Sequence, residues 1–317
     1  MVAADGTVEV DRIGGNALWA AMGARLAGGR PRVVAVVGDD FPASVVELLV
    51  DRGCDVRVRR NGNPVGLRVS YSYDEAGVRT QPADPRRTAV LPADVRARVI
   101  DTTREPAIRS AALPEPGDLD GADNELAPGL RPGWHLGVLP LDRFDALVGA
   151  VAGRGGYVQA DCPDRNELRE GGEEALRDTL PLVDVFLPST SDTAVFAPGR
   201  PPAETLDRFR ALGARTVVLK CGEDGVIVEP GDGQRERWRV PAVTAIRVID
   251  TVGCGDAFAG AFGVDFARTG DLLSAACAGN AAASFAAEVR APLDLLTASS
   301  DEYATRRDAL HPRIEPI

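Results

Sequence analysis

Histidine is nearly absent from this chain: among 317 residues only His135 and His311 are histidine. A histidine-based zinc site or a Ser-His-Asp triad is therefore poorly supplied. The five cysteines, Cys54, Cys162, Cys221, Cys254 and Cys277, are scattered and include no CxxC pair. Their odd number and wide spacing suggest reduced thiols, as expected of a cytoplasmic protein. No apolar run approaches the roughly 18 residues that span a membrane. Residues 1–12 carry acids and no apolar core, so neither a membrane partner nor a secretory signal is expected. Positive charge is also short. Lys and Arg total 36 against 47 Asp and Glu, a net charge of −11, which argues against broad nucleic-acid binding. Acidity does not exclude a nucleotide, because a local glycine turn binds phosphate inside an acidic protein. Neither GxGxxG nor Gly-Lys-Ser/Thr occurs, so the two commonest phosphate-loop signatures are missing.

What remains is an ordinary globular composition, 44% hydrophobic and 26% charged, long enough for one large α/β domain. Asn16 can cap a helix to Ala27 that Gly28-Gly29 would close. Residues 32–37 read as a buried strand, and Pro42 opens a helix to about residue 51. Residues 54–59 and 65–73 read as strands, with a turn at 74–77 and a return strand from Val78. That hairpin is expected to project as a small β flap over about 54–81. Residues 101–132, rich in Pro, Gly and acids, read as an irregular loop. Beyond Trp134, strands at 134–139, 157–161, 183–187 and 216–220 alternate with helical material over 141–152, 167–179 and two shorter stretches. A meander follows over 225–240. A short strand at Val248 then leads into helices over 255–268 and 271–288. Such alternation implies a mostly parallel sheet covered on both faces, with ligands at the carboxyl ends of its strands.

The most informative segment is Asp250-Thr251-Val252-Gly253-Cys254-Gly255-Asp256. Bare N–H groups at a helix start attract anions, and two glycines flanking one residue let consecutive N–H groups point one way. A carboxylate in that place suits phosphoryl transfer: the N–H groups hold the developing charge and Asp256 takes the proton of the attacking hydroxyl. The plainer reading is a turn with a capping aspartate. Gly222 and Gly225 likewise read as a hairpin turn or a phosphate contact. Lys220 reads as a solvated strand end or a point charge for phosphate. Asp161 reads as a cleft residue at a strand end or a loop salt bridge. Cys254, at a helix start, is expected to have a lowered thiol pKa, so that oxidation would block the turn, unless it is a small filler.

The segment 250–256 resembles the DTxGxGD signature of the PfkB, or ribokinase-like, carbohydrate kinase family. Gly14-Gly15-Asn16-Ala17 resembles its GGN signature and Val36-Val37-Gly38-Asp39-Asp40-Phe41 its VGxDxFG strand end. Gly53-Cys54-Asp55-Val56 and Val217–Gly225 resemble two further steps, all in family order over about residues 14–290. The resemblance implies a ribokinase-like three-layer α/β/α fold: one domain over 1–317 with the flap as a lid, through which two copies would pair. It implies ATP-dependent phosphorylation of a hydroxymethyl group on a small sugar, nucleoside or related polyol. Asp256 would be the base, and the N–H groups of Gly253, Cys254, Gly255 and Asp256 the anion hole. Lys220, Gly222, Gly225, Thr251 and Asn280 would lie along the nucleotide; Gly15, Asn16, Asp161 and Arg68 would contact the acceptor. Mg2+ would accompany ATP, with a monovalent cation as a further candidate.

Two departures stand out. The family opens with a strand carrying a substrate-binding aspartate, and residues 1–13 show none; the N-terminal strand looks missing, which points to a start assigned too late. The family's NxxE motif is here Ser189-Thr190-Ser191-Asp192, leaving Asp192 to position magnesium through water. Both departures also suit an alternative, a non-catalytic protein that binds a nucleotide or sugar as a sensor.

Overall fold

In the computed structural model, described over residues 1–75, 79–120, 133–231, 236–244 and 246–317, the chain forms two compact units. The first comprises residues 1–13, 34–52 and 56–114; the second comprises 14–33, 53–55 and 115–317. Strands β1 (Arg32–Val37) and β2 (Asp55–Arg60) pair with each other, and β3 (Ser72–Tyr73) pairs with β4 (Arg79–Thr80).

The second unit is built on a seven-stranded sheet. It runs β5 (Gly133–Leu136), β6 (Tyr157–Asp161), β7 (Val185–Leu187), β8 (Thr216–Lys220), β9 (Val226–Glu229), β10 (Trp238–Val240) and β11 (Glu315–Pro316), each strand beside the next. From β5 to β8 the pairings are parallel; from β8 to β11 they are antiparallel. The parallel half is where helices cross over, and the expected meander supplies the antiparallel half.

Both faces of this sheet are covered. On β7, Val185 and Leu187 point into a core with Phe258 and Phe262 of the Cys254–Thr269 helix. Phe186, between them, packs edge-on at 5.0 Å against Phe209 of the Pro202–Ala211 helix on the opposite face. This is the period-two alternation of a strand buried on both sides. The Cys254–Thr269 helix also crosses the Asn16–Leu26 helix at backbone contact distance. A β-carbon on Gly23 would lie 2.1 Å from the carbonyl oxygen of Ala257, and one on Gly260 would lie 1.8 Å from that of Ala20. Glycine is obligatory at both positions, because the two helices meet there without side chains between them.

Several sequence-based expectations change. Residues 65–71 are not strand, and only Ser72–Tyr73 pairs; Val65, Leu67 and Val69 stand exposed. The Val248 strand is absent: Val248 and Ile249 are exposed, and the N–H groups of Ile249 and Asp250 donate to the carbonyl of Ala287 instead. Helical material expected over 167–179 is a helix over Arg165–Gly171 followed by 3-10 turns. The expected loop at 101–132 contains a helix, Pro106–Ala111, and a 3-10 turn, Pro116–Leu119; residues 121–132 lie outside the described residues, as does Val78. Residues 1–13 form isolated bridges, Val2 with Val8 and with Ser72, rather than a strand of the large sheet.

Candidate active site

The carboxyl ends of β6, β7 and β8 and the start of the Cys254–Thr269 helix bring the site together within the second unit. The helix start is shaped by Gly253, which takes φ +85°, a left-handed conformation that favours glycine. A β-carbon there would also sit 2.2 Å from the indole of Trp19. Among the described residues no side chain caps this helix. Cys254 N donates to Thr251 O at 3.4 Å, and the buried Asp250 carboxylate accepts from Val252 N at 2.9 Å, which ties the turn together from below.

Strand β6 fixes the helix from the sheet side. Tyr157 Oη donates to the carbonyl of Gly263 at 2.6 Å, and Gln159 Nε2 donates to that of Ala259 at 2.7 Å. Asp161 is the next residue on the same face of β6. Its carboxylate accepts from Lys220 Nζ, at the end of β8, in a buried ion pair. The same ammonium lies 3.4 Å from the point where a β-carbon on Gly255 would be. Burial pushes the Lys220 pKa down, but Asp161 first, then Asp192 and Asp256, outweigh burial and leave it above its ordinary value. Lys220 is thus the positive centre among three site carboxylates.

On the other side of Asp161 stands His135 of β5, with Nε2 3.8 Å from Asp161 Oδ2. Among the described residues neither ring nitrogen of His135 has a hydrogen-bond partner. Burial lowers its pKa and keeps the ring neutral, Asp161 opposing and Lys220 reinforcing that shift. Sequence reasoning gave His135 no role. Its register opposite Gln159 on β6 is a pairing that no local pattern announces.

Ser189 and Asp192 form a capping box at the start of the Thr190–Phe196 helix. Ser189 Oγ accepts from Asp192 N at 3.2 Å, and Asp192 Oδ2 accepts from Ser189 N at 3.0 Å and from Ser189 Oγ at 2.5 Å. Arg165 Nη1 lies 3.9 Å from Asp192 Oδ1. Backbone pairing of Lys220 N with Pro188 O at 2.8 Å sets this cap beside the end of β8. No group of three or more His, Cys, Asp or Glu suited to a metal ion occurs among the described residues.

Other sequence-read residues have definite places. Gly222 (φ +62°) and Gly225 (φ +85°) form the β8–β9 hairpin turn, and Cys221 N donates to Gly225 O. Gly222 is exposed with open space around it, whereas a β-carbon on Gly225 would lie 2.1 Å from Val240 O. Asn280, buried on the Leu272–Ala287 helix, spends its amide on that same segment, donating to Val240 O at 3.1 Å and Pro241 O at 3.0 Å. Thr251 is exposed on the turn. Gly15 takes φ +105° ahead of the Asn16–Leu26 helix, and Asn16 Nδ2 donates to Val138 O at 3.2 Å, beyond the end of β5. Arg68 belongs to the first unit, where it pairs with the carboxylate of Asp40.

The expectation for Cys254 is reversed. Burial, then the charges of Asp250 and Asp256, push its thiol up to about 12; the helix start does not prevail. All five cysteines are free thiols.

Residues 159–296 match the family described as "pfkB family carbohydrate kinase". The match begins on β6 and takes in Asp161, Lys220, the glycine turn, Asp256 and Asn280. The C-terminal part of the chain is thus similar to the PfkB carbohydrate kinases. Among similar proteins, the 2-dehydro-3-deoxygluconokinase of Thermoproteus tenax is 29% identical over 272 residues, covering 80% of this chain and 75% of that protein. Among solved structures, a provisionally assigned Ribokinase II from E. coli, in complex with ATP and Mg2+, superposes with a TM-score of 0.68. It shares 18% identity and covers 96% of this chain and 91% of that one. The Burkholderia thailandensis nucleoside kinase in complex with inosine gives a TM-score of 0.65 at 17% identity, covering 94% and 87%. The fold is therefore ribokinase-like, and the family match over residues 159–296 is to carbohydrate kinases.

Proposed function

We propose that this kinase transfers the γ-phosphoryl group of ATP to a hydroxymethyl group on a small sugar, sugar acid or nucleoside, with Asp256 as the general base. The observation that carries this reading is the convergence of Asp256, an uncapped helix start held open by Gly253, and the Lys220 ammonium at the strand ends. Asp256 accepts the acceptor's proton while the N–H groups of residues 253–256 and Lys220 meet the charge developing on the phosphoryl oxygens. Gly222, in open space on its turn, leaves room for a nucleotide phosphate to approach backbone. Gly15 and Asn16 are the acceptor-side candidates.

The donor set fits a magnesium ion that arrives with ATP better than a resident one. Single carboxylates are available, with no cluster of three among the described residues. Asp192, with one oxygen in the capping box and the other facing Arg165, would hold such an ion through water. When bound, magnesium neutralises charge on the β- and γ-phosphates. The acceptors of the relatives differ, so the acceptor is tested directly. An ADP-release assay is run with 2-dehydro-3-deoxygluconate, hexoses, inosine and cytidine. ADP release that depends on one acceptor supports the reading. Release from none of them, or release at the same rate without acceptor, contradicts it.

A further inference from the structure

Lys220 is the single lysine of the chain; every other residue among the 36 Lys and Arg is arginine. A chain that uses arginine everywhere else places one compact ammonium at the end of β8. An arginine has a broad planar fork, whereas lysine brings a point charge with three rotatable donors. A long, flexible side chain of this kind loses considerable rotamer freedom when it is fixed, so something must hold it.

The geometry of β6 shows what does. Along one face of β6, Tyr157 reaches Gly263 O and Gln159 reaches Ala259 O. Two strand residues advance about 6.6 Å and four helix residues about 6.0 Å, so strand and helix stay in step. The third rung joins Asp161 to the level of Gly255, four residues before Ala259. There the strand residue's hydrogen bond runs to a third element instead of to the helix backbone. Its carboxylate holds Lys220 Nζ, and Nζ faces Gly255. Asp161 has His135 on its other side at 3.8 Å, and both imidazole nitrogens are without a hydrogen-bond partner among the described residues, so the hydrogen bond on the Asp161 carboxylate from a side chain is that of Lys220.

We infer that Asp161 is a positioning residue for phosphoryl transfer, holding the single lysine over the helix start, rather than a contact to the acceptor. The inference rests on the functional reading above. Removing Asp161 leaves Lys220 without its hydrogen-bonded partner, and the ammonium swings toward Asp192 and Asp256, the other carboxylates whose charge it feels.

Wild type, Asp161→Asn, Lys220→Met and the double variant are compared in acceptor-dependent ADP release. Wild type and Asp161→Asn are also labelled with 13C-lysine, and the single lysine side-chain signal is followed by NMR as Mg2+ and a non-hydrolysable ATP analogue are added. Asp161→Asn is expected to lower kcat at least tenfold with the acceptor KM within twofold. It is also expected to abolish the shift of the lysine signal on adding the analogue. The double variant is expected to be no slower than Lys220→Met alone. A rise of tenfold or more in acceptor KM with kcat retained overturns the inference, as does multiplication of the two single effects, or a lysine signal that responds in Asp161→Asn as in wild type. Should a single variant fail to fold, Asp161→Glu replaces Asp161→Asn and Lys220→Arg replaces Lys220→Met. The first is expected to recover part of the lysine response. The second, keeping charge but not shape, is expected to stay at least tenfold slow; full wild-type values for both overturn the inference. If wild type turns over no acceptor, the functional reading fails. The lysine signal still tests the pair, because it needs only nucleotide binding.

Discussion

The ammonium of Lys220 lies 3.4 Å from the point where a β-carbon on Gly255 would stand. That is ordinary van der Waals distance, so Gly255 is not glycine because a side chain is sterically barred by its neighbours. Gly253, two residues earlier, is different: its φ of +85° and the Trp19 ring at 2.2 Å exclude any side chain. The two glycines of the turn thus serve different ends. Gly253 makes the turn, and Gly255 keeps the space between the helix start and the lysine clear.

Substitution separates these roles. Gly255→Ala is expected to melt no lower than wild type, since alanine is favoured over glycine in a helix by about 0.5–1 kcal/mol, while losing at least tenfold in turnover. Gly253→Ala is expected to lose about 1–3 kcal/mol or more from backbone strain alone. Thermal melts followed by circular dichroism, read beside ADP release, check both. A Gly255→Ala protein with full turnover would show that the space is not used.

Asn280 and Gly225 grip one segment from two sides. Glycine at 225 lets the hairpin lie against Val240–Ala242, and Asn280 donates to both Val240 O and Pro241 O. Asn280→Ala is expected to cost about 1–3 kcal/mol, because buried carbonyls lose their donor. ATP affinity, measured by calorimetry, should fall only together with the melting temperature. A selective loss of ATP affinity at unchanged melting temperature would instead make Asn280 a direct nucleotide contact.

Cys254 is expected to resist alkylation. With its thiol pushed up to about 12, about one molecule in ten thousand carries a thiolate at pH 8, and the thiolate is the reactive form. Mass spectrometry after iodoacetamide treatment of the folded protein should find Cys254 unmodified. Rapid labelling at that residue would contradict the burial of this thiol.

Ser189 is the N-cap of the Thr190–Phe196 helix. Ser189→Ala is expected to destabilise by about 0.5–2 kcal/mol, and Ser189→Asn to leave the melting temperature nearly unchanged, since asparagine caps equally well. If both variants melt as wild type does, the capping box contributes nothing measurable.

Much of this was legible in the residues because the signals are local. The glycine turn at 253–255, the alternation of β5–β8 with helices, and the hairpin at Gly222–Gly225 each follow from short-range sequence. The segment at Val248 misled because an apolar run reads as strand, whereas its N–H groups are taken by Ala287 O at the far end of another helix. The Cys254 shift was misjudged for a similar reason: a helix start is visible in sequence, but the burial and the neighbouring Asp250 and Asp256 that outweigh it come from packing. The Asp161–Lys220 pair joins residues 59 positions apart on strands separated by β7, and His135 approaches from yet another strand. No spacing rule connects those three; the parallel crossovers do.

The central claim is that Asp256 takes the acceptor's proton. Once an acceptor is found, its most direct test is the turnover of Asp256→Asn at saturating ATP and acceptor, with ATP affinity measured on the same sample. A lost general base lowers kcat by about 10²–10⁴-fold, and the account predicts that fall with ATP affinity within a few-fold of wild type. Asp256→Asn turning over at the wild-type rate would contradict it.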